Sequence, residues 1–358
     1  MLQKNFSFKI KFYIFFLFLV LFFVKFSTTY VYAKTFKIEN IEIAKPYDIN
    51  FNKKEIFDQA FVEAFKELIA KITISEDSKK INTKNLKLIK SLVESFTITD
   101  EKFIKKNYIA KFNVDFSKKE VLEFLEKKNI FPSVPKKKKL LLLPILVDLK
   151  KSELLLFSEN VFYKSWQNEK KKYYLLDYVL PNEDIDDLNI IRKNISNIED
   201  YDFQQIVSKY ELKDFIIIII FKNDQNLKIL SKVKINNNLV VSNQFIENID
   251  LKDSESLIQV ISLLKLIYEN HWRKLNQINT SIKLPINIYL NSKNYNLINR
   301  FEKLLDKIDL VSNYYINSFS NEKTEFKIIF NGAPDKFIKD IENNGFYIDT
   351  SLDNWVIK

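Results

Sequence analysis

Beyond residue 34, the chain opens with a strand pattern followed by a helix pattern. Residues 35–43 (TFKIENIEI) alternate apolar and polar side chains, which is typical of a half-buried strand. Asn52, with Glu55 three positions later, matches a capping box at the start of a helix. The apolar face of that helix is formed by Phe57, Phe61, Phe65, Leu68 and Ile72. The pattern therefore predicts a strand and then an amphipathic helix.

Two more helices and one more strand complete a predicted N-terminal α+β domain over residues 34–128. Residues 108–116 alternate again as a strand, and Ser117 with Glu120 predicts the start of a short helix. The face of the helix before that strand is formed by Leu86, Ile89, Val93 and Phe96. The predicted order is β-α-α-β-α, which favours one α+β domain.

The middle of the chain changes from alternating to continuous apolar runs. Residues 129–139 (NIFPSVPKKKK) contain two prolines and four lysines and predict a solvated linker. Residues 140–147 and 215–221 are nearly unbroken apolar runs, as in strands covered on both faces. Asn236-Asn237-Asn238 joins two alternating runs and predicts a hairpin. A helix over residues 254–274 has an apolar stripe of Leu257, Ile261, Leu264, Tyr268 and His271. We expect an α/β domain with a mixed sheet over residues 140–276.

The C-terminal part, residues 277–358, predicts a third unit. Its predicted strands are 284–290, 310–318, 325–330, 346–348 and 355–357, and its predicted helices are 295–308 and 335–344. The first six of these elements follow the order β-α-β-β-α-β of the ferredoxin-like split βαβ fold, and the last strand closes the unit. The whole chain is therefore expected to be a multidomain protein of the α+β and α/β classes.

Residues 1–33 follow the order of a secretory signal peptide. Lysines at positions 4, 9 and 11 precede an uncharged apolar run over residues 12–24, and Ala33 suits a cleavage site. In such a peptide the lysines stay on the cytoplasmic side of the membrane while the short apolar helix enters it. We expect cleavage after Ala33 and export to the periplasm. An uncleaved inner-membrane anchor is the alternative, although the run is short for a span of about 20 residues.

Composition excludes several kinds of chemistry. The chain has no cysteine, which excludes disulfides and thiolate catalysis, and His271 is its single histidine. A hydrolytic triad needs an imidazole that can touch both the nucleophile and the acid, whereas His271 falls on the apolar stripe of its helix, so we interpret it as a residue packed at a helix end. An ordinary zinc site needs more histidine or cysteine than the chain contains. The two glycines, Gly332 and Gly345, do not make a phosphate-binding loop. We expect both at turns or helix C-caps with positive φ, and we expect no cofactor.

Charge gives a weaker indication of partners. The net charge of +10 falls to +6 without residues 1–33, which contain four lysines and no acid. The densest basic cluster, residues 136–139, lies in the predicted linker and lacks interleaved aromatic residues. We therefore expect no nucleic-acid partner. Weak association with an anionic membrane surface is an alternative.

One acidic segment is the candidate site. Pro181 is followed by Glu183 and then by three aspartates, Asp184, Asp186 and Asp187. Carboxylates at this density are favoured at the start of a helix by its dipole. Two other interpretations stay open, namely a binding edge and a site for a hard cation or for paired catalytic acids. A calcium loop would need a glycine at its sharp bend, and none is present.

The order of these motifs resembles the uncharacterised exported bacterial family called domain of unknown function 2066. The matching features are Ala60, Ala64 and Leu68 in the first helix, residues 112–115 (FNVD), the apolar strand 140–147, and residues 180–187. The last of these is similar to the family's L-P-x-x-D-[LI]-x-D stretch. The resemblance covers most of residues 35–358 and implies an exported periplasmic protein of unknown activity.

Together these patterns predict a non-enzymatic binding or assembly accessory protein of the cell envelope, with another envelope protein as its partner. An exposed sheet edge is the expected means of binding, since it can accept a partner strand. A periplasmic hydrolase or metal-binding protein that uses Asp184, Asp186 and Asp187 is one alternative. An inner-membrane-anchored scaffold that retains residues 12–32 is another.

Overall fold

A computed structural model describes residues 35–351 and 355–358. The predicted signal peptide, residues 1–33, lies outside the described residues. Within them, helices accompany three separate sheets, so the predicted mixture of α+β and α/β units is confirmed.

The N-terminal unit is a three-stranded antiparallel sheet with one long helix packed on it. Its elements are β1 (Thr35–Pro46), α1 (Lys53–Ile72), α2 (Ser75–Ser78), α3 (Leu86–Leu92), β2 (Val93–Ile104), β3 (Asn107–Ser117) and α4 (Lys118–Glu126). The strand order is β1-β3-β2. Asn52 is the N-cap of α1 as predicted, because its side chain accepts a hydrogen bond from the Lys54 amide. The predicted core residues Phe65, Leu68 and Ile72 are fully buried.

The prediction for the second helix was wrong at its C-terminal half. The helix ends at Leu92, and Val93 and Phe96 belong to strand β2. β2 pairs with β3 from Val93 to Ile104, and this long-range pairing outweighs the local helical spacing. Phe96 still packs on the first helix, since its ring centroid lies 5.5 Å from that of Phe57. The apolar residues of this segment therefore contact the core from a strand instead of a helix.

The middle unit is a mixed sheet covered on both faces. Its elements are β4 (Lys138–Asp148), β5 (Glu153–Leu155), α5 (Val161–Ser165), β6 (Leu176–Val179), α6 (Ile185–Lys193), α7 (Gln204–Val207), β7 (Phe215–Asn223), β8 (Asn226–Ile235), β9 (Asn238–Ile246) and α8 (Ser254–Leu275). β7 runs parallel to β4 and antiparallel to β8, and β9 is the last strand on that side. β6 runs parallel to β4 at the opposite edge. Alternate side chains of β4 and β7 pack under α8 or under α6 and α7, which explains their continuous apolar sequence.

The predicted linker is held in place by hydrogen bonds, while Lys136, Lys137 and Lys139 within it are exposed. The amide of Ser133 donates to the Ile72 carbonyl at 2.7 Å, and the indole Nε1 of Trp272 donates to the Lys136 carbonyl at 2.7 Å. β4 already begins at Lys138, inside the predicted linker. The segment is therefore fixed between the first helix and the end of α8.

The C-terminal unit is ferredoxin-like in its first three strands and departs from that fold at its end. Its elements are β10 (Leu284–Asn291), α9 (Tyr295–Lys307), β11 (Val311–Phe319), β12 (Lys323–Phe330), α10 (Pro334–Glu342), β13 (Ile348–Asp349) and β14 (Trp355–Ile357). The strand order is β11-β12-β10-β14-β13. β12 runs antiparallel between β10 and β11, as in a split βαβ unit. β14 runs parallel to β10 because the chain reverses once more between β13 and β14.

The two glycines serve different needs. Gly345 has φ +79° and lies just beyond α10, as predicted for a C-cap glycine. The prediction of positive φ was wrong for Gly332. A Cβ at Gly332 would lie 2.8 Å from Cε1 of Phe330, so this position needs glycine for space.

Candidate functional site

The predicted acidic segment forms the start of α6. Asp184 is the N-cap, and its Oδ1 accepts hydrogen bonds from the amides of Asp186 and Asp187 at 2.8 and 3.3 Å. Pro181, just before it, is buried, and its carbonyl accepts a hydrogen bond from the Tyr163 hydroxyl. The helix-start interpretation of this segment is therefore confirmed.

Lys209 joins two of the three candidate aspartates. Its Nζ lies 2.7 Å from Asp184 Oδ2 and 2.6 Å from Asp187 Oδ1. The hydrogen bond from Lys209, followed by those from backbone amides, lowers the pKa of Asp184. Asp187 is fully buried, whereas Asp186 is exposed and only its backbone takes part in the cap. The structure thus brings Asp184 and Asp187 together around a lysine and leaves Asp186 apart.

The acidic segment belongs to no metal-binding group of side chains, and the single histidine lies elsewhere in the fold. Across residues 35–351 and 355–358, no group of three or more His, Cys, Asp or Glu side chains is arranged to hold a metal ion. His271 is half-buried near the end of α8, and burial lowers its pKa below the ordinary histidine value. The position agrees with its interpretation as a packed helix-end residue.

The edge strands of the sheets differ sharply in how well they are protected against pairing with a further strand. β1 carries charged side chains and a register shift between Ile38 and Ile41. β2 and β11 each contain two register shifts, and β5, β6 and β13 have only two to four residues. β9 has none of these features, since its nine residues (NLVVSNQFI) pair without interruption with β8 and include no charge or proline. Exposed edges are normally protected by charges, bulges or shortness, so β9 is the exceptional edge.

One face of β9 exposes large apolar side chains. Leu239, Val241 and Phe245 alternate along the strand and are 56%, 53% and 64% exposed. Their cross-strand partners on β8 are Lys234, Lys232 and Lys228, respectively. The edge therefore presents an apolar row with a row of lysines beside it. Beyond β9, no further strand pairs with this sheet among the described residues.

A buried charged stripe on α8 forms a second feature. Lys265, Glu269 and Arg273 are spaced by four residues and are at most 2% exposed. Glu269 Oε1 accepts hydrogen bonds from the amides of Leu175 and Leu176 at 2.9 and 2.8 Å. Buried charges require partners of this kind, because removing them from water carries a large free-energy cost. The stripe therefore holds the backbone of the segment that connects α5 to β6.

The ammonium group of Lys265 lies in an aromatic and carbonyl environment. Its Nζ donates to the carbonyls of Trp166, at 2.7 Å, and of Glu169. It also lies 5.4 to 5.7 Å from the ring centroids of Trp166, Tyr174 and Tyr178. Burial lowers the pKa of Lys265 to about 8, with the nearby Glu169 carboxylate acting in the opposite direction.

Above this lysine lies an open cleft of about 620 Å³, between the start of β4, the α5–β6 segment, β6 and α8. We call it the lysine cleft. Its lysines are Lys137, Lys138, Lys139, Lys170, Lys171 and Lys265. Two carboxylates, Glu169 and Asp177, also line it. A volume of this size is in the range of small-molecule sites.

Sequence reasoning missed both the stripe and the cleft. Lys265, Glu269 and Arg273 alternate in sign at a spacing of four, which is typical of exposed ion pairs on a helix surface. The lysines at 137–139 were assigned to a solvated linker, and nothing in the local pattern connects them with Lys170. A charged stripe on a long helix that is otherwise strongly apolar was the one available signal.

No family model matches the chain, and no curated protein matches it. The resemblance to domain of unknown function 2066 stays a prediction. Among the described residues, no helix has the length and apolar character that crossing a membrane requires.

Proposed function

We propose that this chain is an exported, non-enzymatic binding protein of the cell envelope, which docks an extended segment of another envelope protein onto β9. The observation that supports this proposal is the unprotected outer edge of β9, with nine uninterrupted, uncharged residues. A strand with these properties adds a further strand readily, and strand addition is a recurrent mode of recognition. The signal-peptide pattern of residues 1–33 and the resemblance to an exported family support the envelope location.

The chemistry of the edge specifies the partner segment. Main-chain hydrogen bonds to β9 would provide affinity, and alternate side chains would provide specificity. Apolar residues at every second position would pack beside Leu239, Val241 and Phe245. The lysine row on β8 lies on the same face as these apolar side chains, so it favours acidic side chains on that face of the partner strand, and Lys234 has no carboxylate within 4 Å among the described residues. A second copy of this chain fits less well, because it would add another lysine row to the same face.

Photo-cross-linking in the intact envelope tests this proposal. The cross-linker p-benzoyl-phenylalanine replaces Val241 on β9 and, as a matched position, Tyr315 on β11, which is 45% exposed. We expect one discrete adduct from position 241, containing a peptide of a different protein, and none from position 315. Mass spectrometry of the adduct identifies the cross-linked segment and shows whether its alternate positions, which share one face of the strand, combine apolar and acidic residues.

A pair of charge insertions provides the control. Phe245→Lys places a charge on β9, whereas Phe319→Lys does the same on β11, and the two side chains are 64% and 60% exposed. Phe245→Lys should abolish the adduct, because a lysine on an edge strand opposes pairing, and Phe319→Lys should leave it unchanged. Equal adducts at both positions, an adduct insensitive to Phe245→Lys, or an adduct made only of this chain would each contradict the proposal.

A further inference from the structure

Positive charge in the lysine cleft is poorly compensated. Lys138 pairs with Asp214, and Lys171 lies 3.3 Å from Glu169 Oε1. The ammonium groups of Lys137, Lys139 and Lys170 have no carboxylate within 4 Å among the described residues. These lysines come from two separate segments that the fold brings to one concavity. Clustered like charges in a concave site raise the local concentration of anions.

Two residues that line the cleft, Tyr178 and Glu169, each have a buried polar atom without a hydrogen-bond partner among the described residues, the Tyr178 hydroxyl and Glu169 Oε2. The hydroxyl of Tyr178, which lines the cleft, is buried and has no hydrogen-bond partner in the described part of the chain. Burial raises the pKa of this tyrosine, so the group is a neutral hydroxyl that donates a proton. Buried donors normally find an acceptor, so this hydroxyl is a donor that the described residues leave unused.

The cleft is also preorganised. Lys265, Glu269 and Arg273 hold the backbone from Trp166 to Leu176 by hydrogen bonds to its carbonyls and amides. Lys170 and Lys171 project from this segment, so their backbone positions opposite β4 are fixed before any ligand arrives. The side chains of Lys137, Lys139 and Lys170 are exposed, and a fixed backbone reduces the conformational freedom that is lost when such side chains bind a ligand.

We infer that the lysine cleft binds an anion that carries more than one phosphate group, held by Lys137, Lys139 and Lys170. Lysine suits phosphate as a compact point charge, and about 620 Å³ accommodates several phosphate groups or a phosphorylated headgroup. The site lies at the β6 edge of the middle sheet, opposite the β9 edge, so it is separate from strand addition. The ligand chemistry has two sources, a free oligophosphate or the headgroup of an anionic lipid.

Calorimetric titration of the purified full-length protein with tripolyphosphate tests the site, and sedimentation with vesicles tests the lipid source. The cleft variant replaces Lys137, Lys139 and Lys170 by glutamine. The control variant replaces Lys54, Lys87 and Lys119 by glutamine, which are exposed lysines of the N-terminal unit without a carboxylate within 4 Å among the described residues. Both variants change the net charge equally, and thermal melting verifies that both remain folded.

We expect one tripolyphosphate per chain, with the affinity reduced by about tenfold or more in the cleft variant and by less than about twofold in the control. Binding to vesicles of cardiolipin, whose headgroup carries two phosphates, and phosphatidylcholine, absent with phosphatidylcholine alone and lost in the cleft variant, would assign the lipid headgroup as the source. Binding to tripolyphosphate without vesicle binding would assign a free oligophosphate. If the protein binds neither tripolyphosphate nor the vesicles, the inference is overturned. Equal weakening of binding in the cleft and control variants would also overturn it, because that result means diffuse charge attraction.

Discussion

Arg273 Nη2 lies 3.1 Å from Glu269 Oε2, one turn earlier on α8, and both side chains are almost completely buried. The same guanidinium donates to the carbonyl of Lys71, at the end of α1, and to that of Tyr173. This ion pair therefore joins the N-terminal unit, the α5–β6 segment and α8. Breaking it should disturb the packing of the two units and the wall of the lysine cleft together.

Replacing Arg273 by methionine should lower the free energy of unfolding by about 3–5 kcal/mol, because it leaves the Glu269 carboxylate buried without its cation. The double variant Glu269→Gln with Arg273→Met should recover part of that loss, since no uncompensated charge remains. Urea titration measures both values. Lys274→Met, at the exposed neighbouring position, should change stability by less than about 0.5 kcal/mol. A double variant less stable than Arg273→Met would contradict this account.

The three candidate aspartates should differ in their effect on stability. Asp184→Ala removes the N-cap of α6 and should cost about 1 kcal/mol. Asp187→Ala removes a buried partner of Lys209 and should cost about 1–3 kcal/mol, while Asp186→Ala should stay within about 0.5 kcal/mol. Denaturant unfolding of the three variants provides the comparison. An equal loss in all three would show that Asp186 has a role beyond the helix start.

Lys265 should make stability depend on alkaline pH. Its folded-state pKa of about 8, lowered by burial, lies below the ordinary lysine value of about 10.4. Between these values the unfolded chain holds a proton that the folded chain has released, so stability rises with pH. From pH 8 to 10 the wild-type free energy of unfolding should rise by about 1–3 kcal/mol relative to Lys265→Met. Urea titrations across this range test the slope, with Lys252→Met, at an exposed position, as the control.

The two glycines should respond differently to substitution. Gly332→Ala should cost about 1–3 kcal/mol, because the new Cβ meets the buried Phe330 ring. Gly345→Ala should cost about 1–2 kcal/mol through its positive φ, with open space around the new atom. Asparagine separates the two causes, since it tolerates left-handed backbone but is larger than alanine. Melting temperatures should rank Asn above Ala at position 345 and below Ala at position 332.

Local signals predicted many elements because short-range geometry governs them. Asn52 caps its helix as expected, and Asn236 and Asn237 adopt φ of 52° and 65° in the predicted hairpin turn. The prediction was wrong at Val93 and Phe96, where an apolar spacing compatible with a helix belongs to β2. The reversal of β14 was also beyond a local pattern, since it depends on which strand lies beside β10.

The site could be predicted only in part. The acidic segment was recognised together with its helix-start interpretation, because capping is a local interaction. Its partner Lys209 was not, since it lies far along the chain from Asp184. The idea of an open sheet edge came from alternating strands, but the choice of β9 required the pairing of all three sheets.

By itself the sequence determined many of the periodic elements and the absence of cysteine and of a glycine-rich phosphate-binding loop, whereas the export signal stays a prediction. Tertiary structure alone decided that Lys265, Glu269 and Arg273 are buried, that the lysines near 138 and 170 meet, and that β9 has an unprotected edge. The physical reason is the distance along the chain that separates the interacting residues. Backbone periodicity and caps depend on residues within a turn or two, whereas the burial of a charge and the exposure of an edge depend on partners from distant segments.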